Sequence, residues 1–591
     1  METKMEIRGG QFLTSEIEAD MVFTPEDFSD EHHMIKQTGK QFIENEVYPK
    51  RETIEEQDFD TVVSLLRKAG ELGLLAHSIP ESYGGLGLDK MSNAVVGEMV
   101  GRAGTYGVAH SNQTCIATLP ITYYGTKQQK QKYLPKLASG EYIGAYCLTE
   151  PGSGSDALAA KTTAVLNEQN THYILNGTKL YITNAGFSDT FIVYAKVDGT
   201  KFTAFIVEKD FPGLSLGPEE KKMGIKGSST RSVVLEDCLV PIENVLGEIG
   251  NGHLIALNVL NLGRFNLGAA CMGGAKAALG LAIEHTTQRK QFNRLIADFG
   301  ATKEKIAKMA CKLYTAESLQ YRSAGLLEGV LHDVYDIEDR SLVTKRLMEF
   351  AMECAICKVY GSEVLDYVVD ESLQLHGGAG YIKEYPIEQA YRDSRINRIF
   401  EGTNEINRLL IPGTFFKKGA KGELPIQHAI ESAVMELKQN DESREVEQLS
   451  EVRAVVSSIR RAFLTLAGFA YEQLGDQLTE HQEVTMKLAD IAIELYASES
   501  TLLRTVKAIE KQGEEKADLK KQMMISSIQG SLQKVDALTK QLLYGFDVSQ
   551  KRDGLLKFLA TEFSCYSFSS ATKRNRDIAN FIIEAREYRC D

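Results

Sequence analysis

A single block of β-type sequence interrupts a chain whose other patterns are helical, and this change constrains the fold more than any other feature. From about Tyr146, short runs rich in β-branched and aromatic residues follow one another, at 191–194, 204–207 and 232–235. Before and after this block, apolar residues recur every three or four positions, as from Val62 to Leu72, which is typical of amphipathic helices. The sequence therefore predicts an α+β multidomain protein.

The length of the chain, 591 residues, is too great for one hydrophobic core, so several domains are expected. We predict an N-terminal α domain over 25–145, a middle β domain over 146–251, a second α domain similar to a four-helix bundle over 252–412, and a C-terminal α extension over 427–591. The polar, Gly-rich stretch from Pro412 to Gly422 is expected to connect the last two. Within the β domain, Asn176-Gly177 is expected to form a hairpin turn between two strands.

Charge and cysteine content limit the partners, metal sites and cellular compartment that are expected for this chain. The formal charge of −14 disfavours nucleic acid or an anionic membrane as a partner. The nine cysteines follow no disulfide or zinc spacing, so no metal site is expected, and the one C-x-x-C pair, Cys354 and Cys357, fits core packing in a helix. Because no apolar run approaches about 18 residues and the first ten residues lack an export signal, we expect no transmembrane segment and a cytoplasmic protein.

Two polar motifs, far apart in sequence, contain the candidate functional residues. The first runs from Tyr146 to Asp156 and includes Gly152 and Gly154, which allow a backbone to approach a ligand closely. The second runs from Tyr391 to Glu405 and places Glu401 directly before Gly402-Thr403. Taken alone, a Gly-Ser loop is more often a simple turn, and a lone glutamate is more often a surface acid.

Together, and in this order, the two motifs resemble the flavin-binding signature and the catalytic segment of acyl-CoA dehydrogenases. The resemblance covers roughly residues 25–415 and implies that family's arrangement of a helical domain, a β domain and a helical bundle. The extension resembles that of the very-long-chain type. The expected reaction is FAD-dependent α,β-dehydrogenation of a fatty acyl-CoA to trans-2-enoyl-CoA in bacterial β-oxidation, with Glu401 as the base for the α-proton and hydride transfer to FAD.

The same resemblance implies the residues that contact FAD and the substrate. Some relatives carry the base directly before a substrate-contacting arginine, which here is Arg264. The residue before Arg264 is Gly263, which cannot be a base, so Glu401 is the only candidate at the two positions where the family carries one. Arg289 and Phe292 resemble an R-x-x-F element that reaches FAD from a neighbouring subunit. His376 is expected to be a packed histidine. The implied FAD contacts are Tyr146, Leu148, Thr149, Gly154, Ser155, Tyr181, Ile182, Thr183, Arg289, Phe292, Gln374, Gly377, Gly378, Thr403 and Glu405, and the implied substrate contacts are Ser155, Asn261, Arg264 and Gly402.

Substrate, partners and rival functions follow from the same comparison. Val108 is apolar at a position where shorter-chain relatives close the acyl pocket with polar side chains, so a medium to long acyl chain is expected. The resemblance further implies electron transfer to an electron-transfer flavoprotein, and a homodimer whose extension packs on its own core. Three alternatives stay open: an acyl-CoA oxidase that uses O2, a non-enzymatic assembly or scaffold protein with this fold, and a branched or sulfur-containing acyl substrate.

Overall fold

The computed structural model describes residues 7–337, 339–438, 448–566, 568 and 570–590. The first six residues, on which the expectation about an export signal partly depends, lie outside this description. The N-terminal part is helical, and its polar N-caps, such as Ser29, Asp58, Asp89 and Thr126, begin the helices. The helices are α1 (Asp30–Phe42), α2 (Arg51–Glu55), α3 (Phe59–Glu71), α4 (Lys90–Gly101), α5 (Thr105–Thr114), α6 (Leu119–Tyr124) and α7 (Lys127–Ser139).

The β domain is one eight-stranded sheet with the order β6-β7-β3-β2-β4-β5-β8, in which β1 pairs with β4. Most neighbours are antiparallel, whereas β1 and β2 run parallel to β4. The strands are β1 (Gly144–Cys147), β2 (Thr163–Leu166), β3 (His172–Thr183), β4 (Thr190–Val197), β5 (Lys201–Glu208), β6 (Leu214–Leu216), β7 (Thr230–Pro241) and β8 (Val245–Leu246).

The predicted hairpin at Asn176-Gly177 is wrong, because both residues lie inside the single long strand β3. The strand pairs with β7 on both sides of this point, and the register shifts between Leu175 and Gly177. The amide of Asn176 bonds to Asp237 on β7, donating to its carboxylate (3.1 Å) and accepting from its backbone N–H (2.8 Å). The turn-favouring pair therefore forms a β-bulge, since the partner strand continues past it.

Helical structure returns at α8 (Gly252–Gln288), which is followed by a small hairpin of β9 (Lys290–Gln291) and β10 (Arg294–Leu295). The long helices α8, α9 and α11 then pack together. Their bounds and those of the shorter helices are α9 (Gly300–Leu331), α10 (Arg340–Met348), α11 (Ala351–His376), α12 (Pro386–Ser394) and α13 (Asn404–Ala420).

Helix α8 corrects the expectation about apolar length. Among the described residues it is the one helix long and apolar enough to suit a membrane span, with a mean hydropathy of 1.3 over an 18-residue window. Two thirds of that window (67%) is buried within the fold, where the helix packs against α4 and α11. A central core helix passes the same length and composition test because it is also apolar on most sides.

The predicted connection from Pro412 to Gly422 is also wrong over most of its length. Helix α13 continues through Pro412 to Ala420, and only the last few residues before α14 are non-helical. The extension then consists of six helices among the described residues. They are α14 (Ile426–Lys438), α15 (Gln448–Leu474), α16 (Gln482–Gln512), α17 (Asp518–Leu543), α18 (Gln550–Ser564) and α19 (Ala571–Ala585).

The extension packs on the core of its own chain, as expected. Helices α16, α17 and α19 lie against α9, and α16 also contacts α13. The segment 7–27 runs between the two parts: the carbonyl of Phe12 accepts from Arg460, and Glu26 pairs with Arg504 and Lys520. Core and extension therefore share one interior.

Candidate active site

Glu401 and Gly402 form a tight turn directly before α13. Both have left-handed backbone conformations, with φ of 57° and 77°. Thr403 caps the helix by accepting from the N–H of Ile406 (3.2 Å), and the amide of Asn407 donates to the carbonyls of Glu401 (3.3 Å) and Gly402 (2.9 Å). A left-handed glutamate is uncommon, and these bonds hold it in place.

Two buried cations support the turn from neighbouring helices. Lys358 on α11 donates to the carbonyl of Gly402 and to the side-chain oxygen of Asn404, both at 2.7 Å. Arg264 on α8 donates to the carbonyl of Glu401 (3.4 Å) and to the side-chain oxygen of Asn261 (2.9 Å). The structure thus brings together Asn261, Arg264, Glu401 and Gly402, which the sequence had grouped as base and substrate contacts.

The carboxylate of Glu401 is desolvated, and its pKa is raised. Its Oε2 atom is buried and has no hydrogen-bond partner in the described part of the chain. Burial raises the pKa of Glu401 to about 7, although the positive charges of Arg264 and Lys358 act to lower it. An unpartnered carboxylate with a raised pKa, facing a cavity, is a typical general base.

Gly263 stands directly against this carboxylate. A Cβ atom at Gly263 would lie 2.7 Å from Oε2 of Glu401, which is closer than real Cβ atoms come to a neighbour. The two positions at which relatives are expected to carry the base are therefore adjacent in space. Glycine at one of them leaves room for the carboxylate from the other.

A cavity of about 560 Å³ extends from Glu401 along α8. Most of its α8 lining residues lie on one face of the helix, from Gly263 through Leu267 and Gly274 to Leu281, and Lys276 lines it from another face. Val108 on α5 lines it as well, and most of the other lining side chains are apolar or small. The space can hold an extended apolar chain beside the carboxylate.

The predicted flavin-binding loop is fixed by a buried ion pair that the sequence analysis did not identify. Lys179 on β3 pairs with Glu150 (2.6 Å), and Thr162 donates to the same carboxylate (2.5 Å). This loop follows β1, so Tyr146 and Leu148 are buried beside it, whereas Gly154 and Ser155 are exposed. Thr149 is half-buried, and its carbonyl accepts from the N–H of Leu180 (2.9 Å).

The end of β3 presents an aromatic face next to this loop. Tyr181 lies in a second bulge with a left-handed φ of 59° and is 63% exposed, while Ile182 is buried and Thr183 lines the cavity. The charge of Glu401 contributes to the raised pKa of Tyr146, after burial and Tyr194. The β domain and the turn at Glu401 and Gly402 therefore face one another.

Five of the predicted cofactor contacts form a separate group at the far ends of α8 and α11. Arg289 caps α8 directly before the β9–β10 hairpin, and Phe292, in the turn of that hairpin, is 88% exposed. The ring of His285 stacks on His376 (centroids 4.4 Å apart), which joins this hairpin to Gln374, Gly377 and Gly378. His376 is a packed histidine, as expected: it is buried and bonds through Nδ1 to the carbonyl of Ser372.

The other two predicted contacts lie on the first turn of α13. Thr403 caps that helix, and Glu405 is exposed one turn from Glu401. Among the residues that the sequence analysis missed, Lys358 had a detectable signal, since it is the one charged residue in the otherwise apolar run 354–359. Asn407 and Lys179 had none, because their roles depend on partners brought in by tertiary structure.

Four family models match the chain, and their descriptions agree. They are the acyl-CoA dehydrogenase N-terminal domain (residues 29–141), the middle domain (145–238), and two acyl-CoA dehydrogenase C-terminal domain models (250–413 and 458–559). The last of these lies within the extension. The matches therefore include both the expected three-domain core and the additional helical domain.

Individual relatives give the same result. A probable acyl-CoA dehydrogenase of Bacillus subtilis is 48% identical over 586 residues, covering 98% of both chains. The human mitochondrial very long-chain specific acyl-CoA dehydrogenase is 43% identical over 58% of this chain and 51% of its own length. The crystal structure of an acyl-CoA dehydrogenase complexed with FAD from Bacillus anthracis superposes with a TM-score of 0.96 at 48% identity, covering 99% of this chain and all of that one.

The fold and the buried carboxylate define a flavin-dependent oxidoreductase that acts on acyl thioesters. More specifically, the chain belongs to the acyl-CoA dehydrogenase family, whose members are FAD-dependent enzymes of fatty-acid β-oxidation. The residues present fit FAD: a Cβ at Gly152, Gly154, Gly377 or Gly378 would meet nothing within 4 Å, and Tyr181 and Phe292 offer exposed aromatic faces. Such open glycines and rings suit a large planar cofactor.

Proposed function

We propose that this enzyme removes the α-proton of a medium- to long-chain fatty acyl-CoA with Glu401 and forms the trans-2-enoyl-CoA. One observation carries the proposal: Oε2 of Glu401 is a buried, unpartnered carboxylate oxygen at the head of an apolar cavity. A base with a pKa of about 7 can accept a proton and release it again near neutral pH.

The turn also leaves a donor for the substrate. The hydrogen bonds that hold it in the described structure use the carbonyls of Glu401 and Gly402, and not the Glu401 N–H. That N–H is therefore free to donate to the thioester oxygen as negative charge develops, in the manner of an oxyanion hole. Arg264 and Lys358 fix the direction of the N–H because they hold the adjoining carbonyls.

FAD, when bound, supplies the acceptor for the hydride that leaves Cβ. The isoalloxazine would be held by the loop at Thr149 to Ser155 and by Tyr181 to Thr183. Arg289 and Gln374 would bind the pyrophosphate and adenosine end, and their exposure and separation from Glu401 favour contact with the FAD of a second copy of the chain. We propose a homodimer on this basis, and light scattering tests it: a monomer or a tetramer would contradict it.

Electrons are proposed to pass to an electron-transfer flavoprotein, in the cytoplasm. The nine cysteines are all free thiols, eight of them buried, which fits a reducing compartment. Reoxidation by O2, as in an acyl-CoA oxidase, would produce hydrogen peroxide during turnover. Palmitoyl-CoA oxidation coupled to an electron-transfer flavoprotein, with a parallel peroxide assay, distinguishes the two acceptors, and cell fractionation tests the compartment.

The assignment of the base is tested by Glu401→Gln. The amide has the shape of the carboxylate but cannot accept the α-proton, so bleaching of the flavin by palmitoyl-CoA should slow by about 10²–10⁴-fold or more. Flavin content and melting temperature should remain close to those of the wild type. An exposed acid, Glu423, provides the charge-matched control, and Glu423→Gln should bleach normally. Near-normal bleaching in Glu401→Gln would sink the assignment.

A further inference from the structure

The C-terminal tail of the chain reaches the cavity that begins at the catalytic carboxylate. Glu587 and Tyr588, which follow α19, line this cavity together with Lys276 and Ala277 of α8. We propose that this tail, residues 586–590, forms the far wall of the acyl site and sets the longest acyl chain that the enzyme accepts. The inference rests on the proposed function, because it takes Glu401 as the point where Cα of the substrate lies.

The distances suit this role. Along α8, the step from Gly263 beside Glu401 to Lys276 beside Tyr588 corresponds to about 20 Å at the helical rise of ~1.5 Å per residue. A long fatty acyl chain spans half of a bilayer's hydrocarbon core, or about 15 Å. A palmitoyl chain should therefore stop short of the tail, whereas chains several carbons longer should meet Tyr588.

The tail is anchored firmly enough to act as a wall. The hydroxyl of Tyr588 donates to the carboxylate of Glu317 (3.2 Å), and Nζ of Lys276 lies 5.1 Å from the centre of its ring. Lys276 itself is buried and pairs with Glu317 and with Glu98 (2.8 Å). Cys590 is buried with its Sγ 3.4 Å from the guanidinium of Arg504. The ring of Tyr588 is thus held from several sides.

The test compares kcat/KM for octanoyl-CoA, palmitoyl-CoA and docosanoyl-CoA within each variant, since such ratios do not depend on the amount of active enzyme. Tyr588→Ala should raise the docosanoyl-to-palmitoyl ratio by about tenfold, the effect of one or two methylenes accommodated in an apolar pocket. Tyr588→Trp should lower it by a similar factor. Tyr588→Phe keeps the ring and should leave the ratio unchanged, and octanoyl-CoA should be insensitive to all three substitutions.

Binding provides a readout apart from turnover. In a Glu401→Gln background, calorimetric titration with docosanoyl-CoA should show tighter binding when Tyr588→Ala is added and weaker binding when Tyr588→Trp is added. If the docosanoyl-to-palmitoyl ratio is unchanged in both Tyr588→Ala and Tyr588→Trp while the wild type is active on palmitoyl-CoA, the role of the tail is overturned. The proposed function would not be affected by that result. A wild type inactive on every acyl-CoA would instead overturn the proposed function, and the inference with it.

Discussion

At the scale of single residues, the site combines a strained turn with a desolvated charge. The left-handed backbone of Glu401 would be costly in isolation, and the bonds from Arg264, Lys358 and Asn407 maintain the turn. The identity of the candidate base was predictable from sequence, since its motif is local. Its pKa and its support by Lys358 were not, because both depend on residues that only folding brings near.

The first prediction at this scale concerns pH. Burial raises the pKa of Glu401 to about 7, and Lys358 is one of two cations that act to lower it. If Glu401 is the base, as proposed, only its ionised form is active, and kcat/KM should fall as pH decreases through about 7. Lys358→Met removes a positive charge, so the pKa of Glu401 should rise further, and the acidic limb of the pH profile should move to higher pH.

The control for this experiment is an exposed lysine, Lys421, whose replacement by Met should leave the profile in place. A purely structural role for Lys358 predicts a different result. Loss of its bond to Gly402 would then lower kcat/KM equally at every pH, with the acidic limb unmoved. That outcome would contradict electrostatic control of Glu401 by Lys358.

At the scale of secondary-structure elements, features set by local sequence patterns were predictable, and features set by contacts with distant parts of the chain were not. The amphipathic helices and the long strands β4, β5 and β7 were predictable because their apolar patterns are local, whereas the short strands β1, β2, β6 and β8 were not predicted. Two errors, at Asn176-Gly177 and at Pro412-Gly422, came from residues that favour turns in isolation. Each lies within an element whose partner continues past it: β7 pairs on both sides of the bulge, and α13 packs on α11 and α16 through Pro412.

The β9–β10 hairpin is the element on which the proposed subunit contact depends. Its turn residues Phe292 and Asn293 both have left-handed φ, and Arg289 projects as an exposed guanidinium. If Arg289 binds the pyrophosphate of the FAD in a second subunit, Arg289→Ala removes a charged hydrogen bond worth roughly 1.5–3 kcal/mol. FAD retention and dimerisation should then weaken together.

Flavin absorbance after dilution and dialysis, measured beside light scattering, checks this prediction. Lys290→Ala is the matched control, because it removes an equal charge from the adjacent exposed position on the same hairpin. We expect that variant to keep its FAD and remain a dimer. Full flavin content in Arg289→Ala would show that this guanidinium does not hold the cofactor.

At the scale of the whole molecule, the extension is part of the core rather than an appended domain. Buried ion pairs join the two: Arg322 to Glu499 (2.7 Å), and Arg504 to Glu317 (2.6 Å) and to Glu26 (3.0 Å). The sequence showed apolar helical stripes that needed a partner surface, and the partner is the chain's own core, as predicted. The ion pairs could not be predicted, since their members are 177 to 478 positions apart.

This arrangement makes Arg504 a test of cooperativity. Burial acts to raise the pKa of Glu26, but the positive charges of Arg504 and Lys520 outweigh this effect and hold the pKa below its ordinary value. Arg504→Met leaves two buried carboxylates with less compensation, and breaking a buried pair in this way costs about 3–5 kcal/mol. Because core and extension share one interior, calorimetry should show one transition that moves to lower temperature as a whole.

The control is Lys551→Met, which breaks an ion pair whose two side chains are more than half exposed and should change stability by less than about 1 kcal/mol. If the extension were an independent domain, Arg504→Met would instead separate an early transition from an unmoved later one. Limited proteolysis distinguishes the two cases. A stable core fragment that ends near residue 425 and keeps its FAD would contradict a single cooperative unit. Such a fragment would be stable although α9 had lost the extension helices that cover it.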